Sequence, residues 1–384
     1  MRKLNKFLFN IYGYTFFTSF LLLAPIYTIF MQKNGVSDFG LSILLIIWVV
    51  GVLSSQFLVS KISAKYGSRL TMIFGQVLLV VGYFLWVIYP TYTGFAIGMF
   101  LSGIQAAIYN VVPESMIYNF VETNGQEKNY ERIIGNKRNI ALIGNGLSML
   151  GSLLFVYGYN FITALSVFSL FVSCIFVLQL PNTKKDISDK ECVCRFSDFR
   201  DGLKILRSNR AFLVFLLLNV LVINLTFLND FLPVIGTEIQ IPTKYIGVFP
   251  LFLLFGHMIG YATAHYFAKI SNKLIFLFIL LGGILFLLFG LKYSIISILF
   301  LWFGYVIFGV VKILLYSRFQ KTLHRSQRLV GLSFYNFINQ LFYGFTCLLL
   351  GWGGTLGSWR YGIIILGVCI ILLGLLPAIF YNRK

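Results

Sequence analysis

The sequence predicts an all-α integral membrane protein, with twelve transmembrane helices in two six-helix halves. Three observations carry that expectation. Twelve apolar stretches fill most of the chain, and each reaches the length of about 20 residues that a hydrocarbon core of roughly 30 Å requires. The 384 residues are 58% hydrophobic and 11% charged, which leaves room for those helices and one modest loop but for no soluble domain. Basic residues, finally, gather on alternate loops.

The first span, 7–31, follows Arg2, Lys3 and Lys6. A basic start and an apolar run also mark secretory leaders, but Phe7–Met31 is too long and lacks a small-residue cleavage site, so it reads as an uncleaved helix. Spans two (40–60) and three (69–89) flank Lys61, Lys65 and Arg69. Spans four (93–119) and five (139–158) flank Lys128, Arg132, Lys137 and Arg138, and span six (160–180) closes the first half. The longest polar stretch, 181–210, reads as a cytoplasmic central loop. Its second part sets Phe196, Phe199, Leu203, Ile205 and Leu206 among charges, which suits a helix lying on the membrane surface. Spans seven to twelve follow at 211–236, 245–268, 273–291, 294–317, 328–352 and 358–381. All should be helical, because hydrocarbon offers no solvent to satisfy open backbone groups. The predicted organisation is therefore a half at 1–180, the loop at 181–210 and a half at 211–384.

An even number of spans puts both termini on one side. With cytoplasmic termini, the inner segments carry 26 Lys and Arg, and the outer loops carry only Lys33, Lys244, Lys292 and Arg360. That bias predicts a multi-pass protein of the cytoplasmic (inner) membrane with both ends inside. The net charge of +19 then follows from topology and from attraction to anionic inner-leaflet lipid, with no nucleic-acid partner implied. Cys174, Cys347 and Cys369 fall in apolar spans, where Cys acts as a small hydrophobe. Cys192 and Cys194 lack the spacing of a zinc site or redox pair, so no metal and no cofactor are expected.

The two halves resemble each other. Pro25, Gly35, Ser37 and Gly40 lead from span one into span two, as Pro233, Thr243 and Gly247 lead from span seven into span eight. Lys65-Tyr66-Gly67-Ser68-Arg69-Leu70 matches Lys269-Ile270-Ser271-Asn272-Lys273-Leu274. Duplicated membrane halves are typical of secondary transporters, which hold substrate near mid-membrane.

With these features the whole chain resembles the major facilitator superfamily. That superfamily's loop signature stands here as Lys65, Gly67 and Arg69, with Ser60 and Ala64 in place of its first Gly and its Asp. Glu114-Ser-Met-Ile-Tyr-Asn119, with Glu122, Tyr130 and Gly135, is similar to a bacterial efflux-type branch, in which an acid stands where Asn119 is. The resemblance implies that spans one, four, seven and ten line a central cavity, and that a latch would rest on Lys65, Arg69 and neutral partners. The proline of the span-five antiporter motif is absent from Gly144-Asn-Gly146 and Gly151.

Ionisable residues inside hydrocarbon are costly, so each is a candidate for function. Glu114 shares a helical stripe with Gly103, Ala107, Asn110 and Tyr118, and Lys312 shares one with Tyr305, Gly309 and Tyr316. Asp230 nears the outer end of span seven, after Asn219 and Thr226, and His257 falls near the middle of span eight. Span one adds Asn10, Tyr14 and Thr18, and span eleven adds Ser333, Asn336, Gln340 and Tyr343. The candidates for substrate binding or proton coupling are thus Glu114, Asp230, Lys312, His257, Asn110, Tyr305, Asn336 and Gln340.

Each has an ordinary alternative. Glu114 can pair with a loop arginine, Lys312 can reach for headgroups, Asp230 can meet outer water, and His257 can be a packing residue. A further expectation is that Glu114 and Lys312 meet when the cytoplasmic side closes.

These features predict a monomeric secondary transporter for a small amphipathic solute, not an enzyme, working by alternating access. No Gly-x4-Gly-Lys-Ser/Thr loop is present to use ATP. Protons are the simplest coupling ion, since burial of a carboxyl favours its protonated form. Proton-coupled efflux is the leading reading, with nutrient uptake by symport or uniport as the alternative. A membrane-embedded enzyme would need clustered catalytic groups, and His257, His265 and His324 are scattered.

Overall fold

The computed structural model describes residues 2–125, 130–181, 210–226, 228–321 and 328–381. The surface helix expected at 196–207, the Cys192–Cys194 pair and most of the central loop lie outside the described residues. The chain divides into two compact units. Unit 1 comprises Met1–Val36 and Leu44–Phe196, and unit 2 comprises Ser37–Ile43 and Ser197–Lys384.

Unit 1 is built from helices α1 (Arg2–Ser19), α2 (Tyr27–Lys33), most of α3 (Asp38–Tyr66), α4 (Ser68–Ile88), α5 (Tyr92–Thr123), α6 (Tyr130–Ser148) and α7 (Tyr159–Leu178). Unit 2 contains the start of α3, then α8 (Arg210–Leu225), α9 (Leu232–Glu238), α10 (Val248–Thr263), α11 (Asn272–Lys292), α12 (Ile298–Lys321), α13 (Arg328–Thr355) and α14 (Trp359–Tyr381). Among the described residues, eight helical segments are long and apolar enough to cross a membrane, and Leu213–Leu225 and Trp359–Leu375 are shorter apolar helices. The fold is all-helical and consistent with the twelve predicted spans.

Several boundaries differ from the sequence reading. Span five begins nine residues earlier than expected, at Tyr130, and its second part, Met149–Tyr157, winds as a 3-10 helix. Span eight likewise ends in a 3-10 turn at Ala264–Phe267.

Spans one and seven are each two helices rather than one. Span one is interrupted between Ser19 and Tyr27, and span seven between Leu225 and Leu232. Pro25 falls inside the first break. Pro233 sits in the first turn of α9, where its missing N–H costs nothing. Backbone groups freed in a membrane must find other partners. In unit 1 the Leu23 amide donates to Ser166 Oγ at 3.0 Å, and Ser169 Oγ donates to the Phe17 carbonyl at 2.8 Å. Both serines lie on α7, so span six completes the hydrogen bonding of span one.

The internal repeat shows most clearly in two glycine crossings. A Cβ on Gly103 of α5 would stand 2.3 Å from the Trp48 carbonyl oxygen, and one on Gly51 of α3 would stand 2.5 Å from that of Phe100. In unit 2 the same geometry recurs between α10 and α12. A Cβ on Gly260 would stand 2.2 Å from the Val306 carbonyl oxygen, and one on Gly309 would stand 2.7 Å from that of His257. Gly51, Gly103 and Trp48 thus correspond to Gly260, Gly309 and His257. Lipid chains are as apolar as leucine, so helix association rests on such close packing and not on hydrophobic burial.

The end of unit 2 that is predicted to be extracellular is tied by a clasp. Glu238, closing α9, accepts hydrogen bonds from Tyr293 Oη (2.5 Å), Ser358 Oγ (2.8 Å) and the Trp359 amide (3.2 Å). Its carboxylate therefore caps the N-terminus of α14, where the helix dipole favours negative charge. Arg360 donates to the Gly290 and Leu291 carbonyls at the end of α11. Burial, and next the Glu238 carboxylate, push the Tyr293 hydroxyl's pKa up and keep it a donor.

Candidate functional site

Unit 1 places Glu114 one residue after Pro113 in α5, with its side chain 28% exposed. Lys137 Nζ lies 3.5 Å from Glu114 Oε1, and Arg138 Nη2 lies 4.0 Å away. The sequence reading set both basic residues in a loop. The structure winds them into α6, and Lys137 is buried there to 5% side-chain exposure while Arg138 remains at 72%. Lys137 also lies over the Tyr109 ring, 5.4 Å from its centroid. A buried ammonium requires a counter-charge, and Glu114 provides it.

Glu114→Gln should therefore strand Lys137 and lower stability by up to about 3–5 kcal/mol, while Glu114→Gln with Lys137→Met should recover much of the loss. Thermal unfolding of the three proteins in one detergent reads the difference. An unchanged Tm in Glu114→Gln would show that Lys137 has no need of this partner.

Above the pair, span one contributes Asn10, Tyr14 and Thr18 as expected. Asn10 Nδ2 donates to the Gln179 carbonyl at 3.5 Å, and Gln76 Nε2 of α4 donates to Thr18 Oγ1 at 3.0 Å. The hydroxyls of Ser19 and Tyr109 lie 3.1 Å apart. Asn10 Oδ1, Tyr14 Oη and Gln76 Oε1 are buried and make no hydrogen bond of normal geometry among the described residues. Asn110 is exposed. Gln76, Tyr109 and Lys137 are functional candidates that the sequence reading missed. Gln76 and Tyr109 look like ordinary span residues until neighbouring helices are in place.

The loop signature is compact. Gly67 alone links α3 to α4, at φ 91° and ψ 151°, a conformation that residues other than glycine rarely adopt. Arg69 Nη1 donates to the Leu178 and Leu180 carbonyls, both at 3.4 Å, and so caps the end of α7. Lys65 is exposed, with its Nζ 5.2 Å from the Tyr66 ring centroid. The corresponding loop of unit 2 is held from another direction, by Arg318 of α12 donating to the Ile270 carbonyl and to Asn272.

In unit 2, Asp230 sits in the break of span seven and accepts a 2.6 Å hydrogen bond from Tyr343 Oη of α13. Buried Cys347 lies beside them. Lower on the same two helices, Tyr335 Oη donates to Asn219 Oδ1 at 3.0 Å, and Asn224 Nδ2 donates to Asn339 Oδ1 at 2.9 Å. The span-eleven face directed at span seven is therefore Tyr335, Asn339 and Tyr343. The predicted stripe shares only Tyr343 with it: Asn336 is exposed and Gln340 half-buried. Asn224, Tyr335 and Asn339 were missed because a stripe of polar residues does not reveal which neighbour it faces.

His257 and Tyr305 pack together with ring centroids 4.5 Å apart, and Tyr261 stacks on His257 at 5.5 Å. Lys312 is half-buried, with its Nζ 5.7 Å from the Tyr261 ring centroid. Counted from the matched crossings at Gly103 and Gly309, Glu114 and Lys312 do not hold corresponding positions. Glu114 lies three turns beyond its glycine and Lys312 less than one turn beyond.

These two clusters, one in each unit, supply charge, hydroxyl and amide groups within helices that are otherwise apolar. The family model described as "Major Facilitator Superfamily" matches residues 8–345. The chain belongs to that superfamily.

This superfamily member shares its fold with solved transporters at low identity. The nucleoside transporter NupG is 12% identical, with a TM-score of 0.79 over 99% of both chains. A D-xylose-proton symporter is 11% identical, with a TM-score of 0.71 over 96% of this chain and 95% of its own. An auto-inhibited POT family peptide transporter is 13% identical, with a TM-score of 0.70 over 100% of this chain and 97% of its own. No curated protein matches the chain. Membership of this superfamily makes the protein a multi-pass membrane transporter.

Proposed function

We propose that the protein is a secondary active transporter in which Asp230 carries the coupling proton and a small amphipathic solute is exported in exchange. The observation that carries this reading is the Asp230–Tyr343 hydrogen bond in the break of span seven. A neutral hydroxyl donor can hold a carboxyl in either protonation state. Glu114 instead pairs with the buried Lys137 ammonium, and its part in this reading is to keep α5 and α6 together. The direction rests on the likeness of residues 114–119 to the efflux-type branch.

Uptake by proton symport is the second reading, favoured by the shared fold with a nucleoside transporter and a D-xylose-proton symporter. A solute screen in inverted membrane vesicles, with and without an imposed pH gradient, separates the two. Export predicts accumulation inside inverted vesicles when their lumen is acid. Accumulation only in right-side-out vesicles with an acid exterior would make the protein an importer.

The orientation belongs to the same proposal. The excess of Lys and Arg on alternate segments puts both termini and residues 181–210 in the cytoplasm. In intact cells an impermeant thiol reagent should label a cysteine introduced at Lys33 and spare cysteines introduced at Lys185 or Lys384. The reverse pattern would invert the map.

A further inference from the structure

We propose that Lys312 is the anion-binding group of a solute site on α10 and α12, and that the transported solute is an organic anion with a flat apolar body. The proposal rests on the transport reading and names its substrate class. Lys312 stands at the end of a row of rings, with Tyr261 nearest its Nζ, His257 stacked on Tyr261, and Tyr305 against His257. The Tyr305 hydroxyl is buried and makes no hydrogen bond of normal geometry among the described residues.

Among the described residues the ammonium has no carboxylate partner. Among the described residues the ion pairs are those of Glu114 with Lys137 and Arg138. Two described carboxylates of unit 2 have partners elsewhere, Asp230 with Tyr343 and Glu238 in the clasp on α14, and Asp38 lies beside Gly354. Lys312 lies near the inner end of span ten, and its Nζ is found over the Tyr261 ring of the neighbouring helix.

A lysine held within a span is costly unless a counter-charge offsets it, and contact with one ring offsets only part of that cost. A solute carboxylate or phosphate would supply the charge, and its apolar body would lie along Tyr261 and His257. A neutral or cationic solute would leave the ammonium uncompensated.

The test uses the full-length protein in lipid nanodiscs and three probes of one shape: 1-naphthoate, 1-naphthamide and 1-naphthylmethylammonium. Calorimetric titration should show naphthoate binding about tenfold or more tighter than the amide, with the ammonium weakest. Lys312→Arg should keep that order, Lys312→Gln should abolish the anion preference, and Lys312→Glu should turn it toward the ammonium. Equal affinity for the three probes in the unaltered protein would overturn the proposal, as would an anion preference that survives Lys312→Gln. Binding needs no turnover, so absence of solute flux in proteoliposomes would strike the transport reading alone. Flux with no role for Lys312 in charge preference would strike this one.

Discussion

Asp230→Asn should reduce pH-gradient-driven solute flux to the level of empty liposomes while solute exchange at equal pH continues. Asparagine keeps the shape of the carboxyl and can still accept from Tyr343 Oη, so the link between the break of span seven and α13 survives. What it loses is the capacity to bind and release a proton. Tyr343→Phe makes the opposite change, removing the neutral donor and leaving the carboxyl, and should retain gradient-driven flux. Initial rates in proteoliposomes, with and without an acid interior, distinguish the pair. If Asp230→Asn still concentrates solute against its gradient, the coupling proton is carried by another residue. Glu114→Gln is then the next variant to measure, with the stability cost of its Lys137 partner in view.

Gly260→Val and Gly103→Val should prevent the chain from reaching its folded state in useful yield. A Cβ at Gly260 meets the Val306 carbonyl oxygen at 2.2 Å, and one at Gly103 meets that of Trp48 at 2.3 Å. Both obstacles are backbone, so no rotamer change relieves them and the helices must move apart. Overpacking of this kind costs about 1–3 kcal/mol even where side chains can adjust. In a bilayer, separating the helices also forfeits the packing that holds them together. Gly135→Ala on α6 is the control, since nothing lies within 4 Å of its added Cβ and alanine favours the helix by about 0.5–1 kcal/mol. Size-exclusion profiles and Tm of detergent-solubilised protein read the outcome. Monodisperse Gly260→Val at the unaltered Tm would mean that α10 and α12 do not pack at that glycine.

Much of the fold was legible because hydrocarbon imposes a simple rule: spans must be long, apolar and helical. That rule located the spans and exposed the duplication through Pro25 and Pro233 and through the paired loops at 65–70 and 269–274. It could not reveal that spans one and seven are broken. Apolarity runs through both breaks, and Ser166 and Ser169, which satisfy the backbone of the first, are distant in sequence. Lys137 shows the same limit. Three residues after Ile134, on a stretch rich in polar groups, it reads as a loop residue, and only the contact with Glu114 and Tyr109 explains a buried ammonium there.

By itself, then, the sequence determined the membrane class, the all-helical fold and the residues too polar to be there without reason. Those follow from the cost of each residue in hydrocarbon, a property of the residue alone. The tertiary structure decided which of those residues have partners. It gave Glu114 to Lys137 and Asp230 to Tyr343, it turned Tyr335 and Asn339 rather than Asn336 toward span seven, and it left Lys312 against a ring. Partnership depends on which helix faces which, and that is set by close approaches such as Gly51–Gly103 and Gly260–Gly309 between residues far apart in the chain.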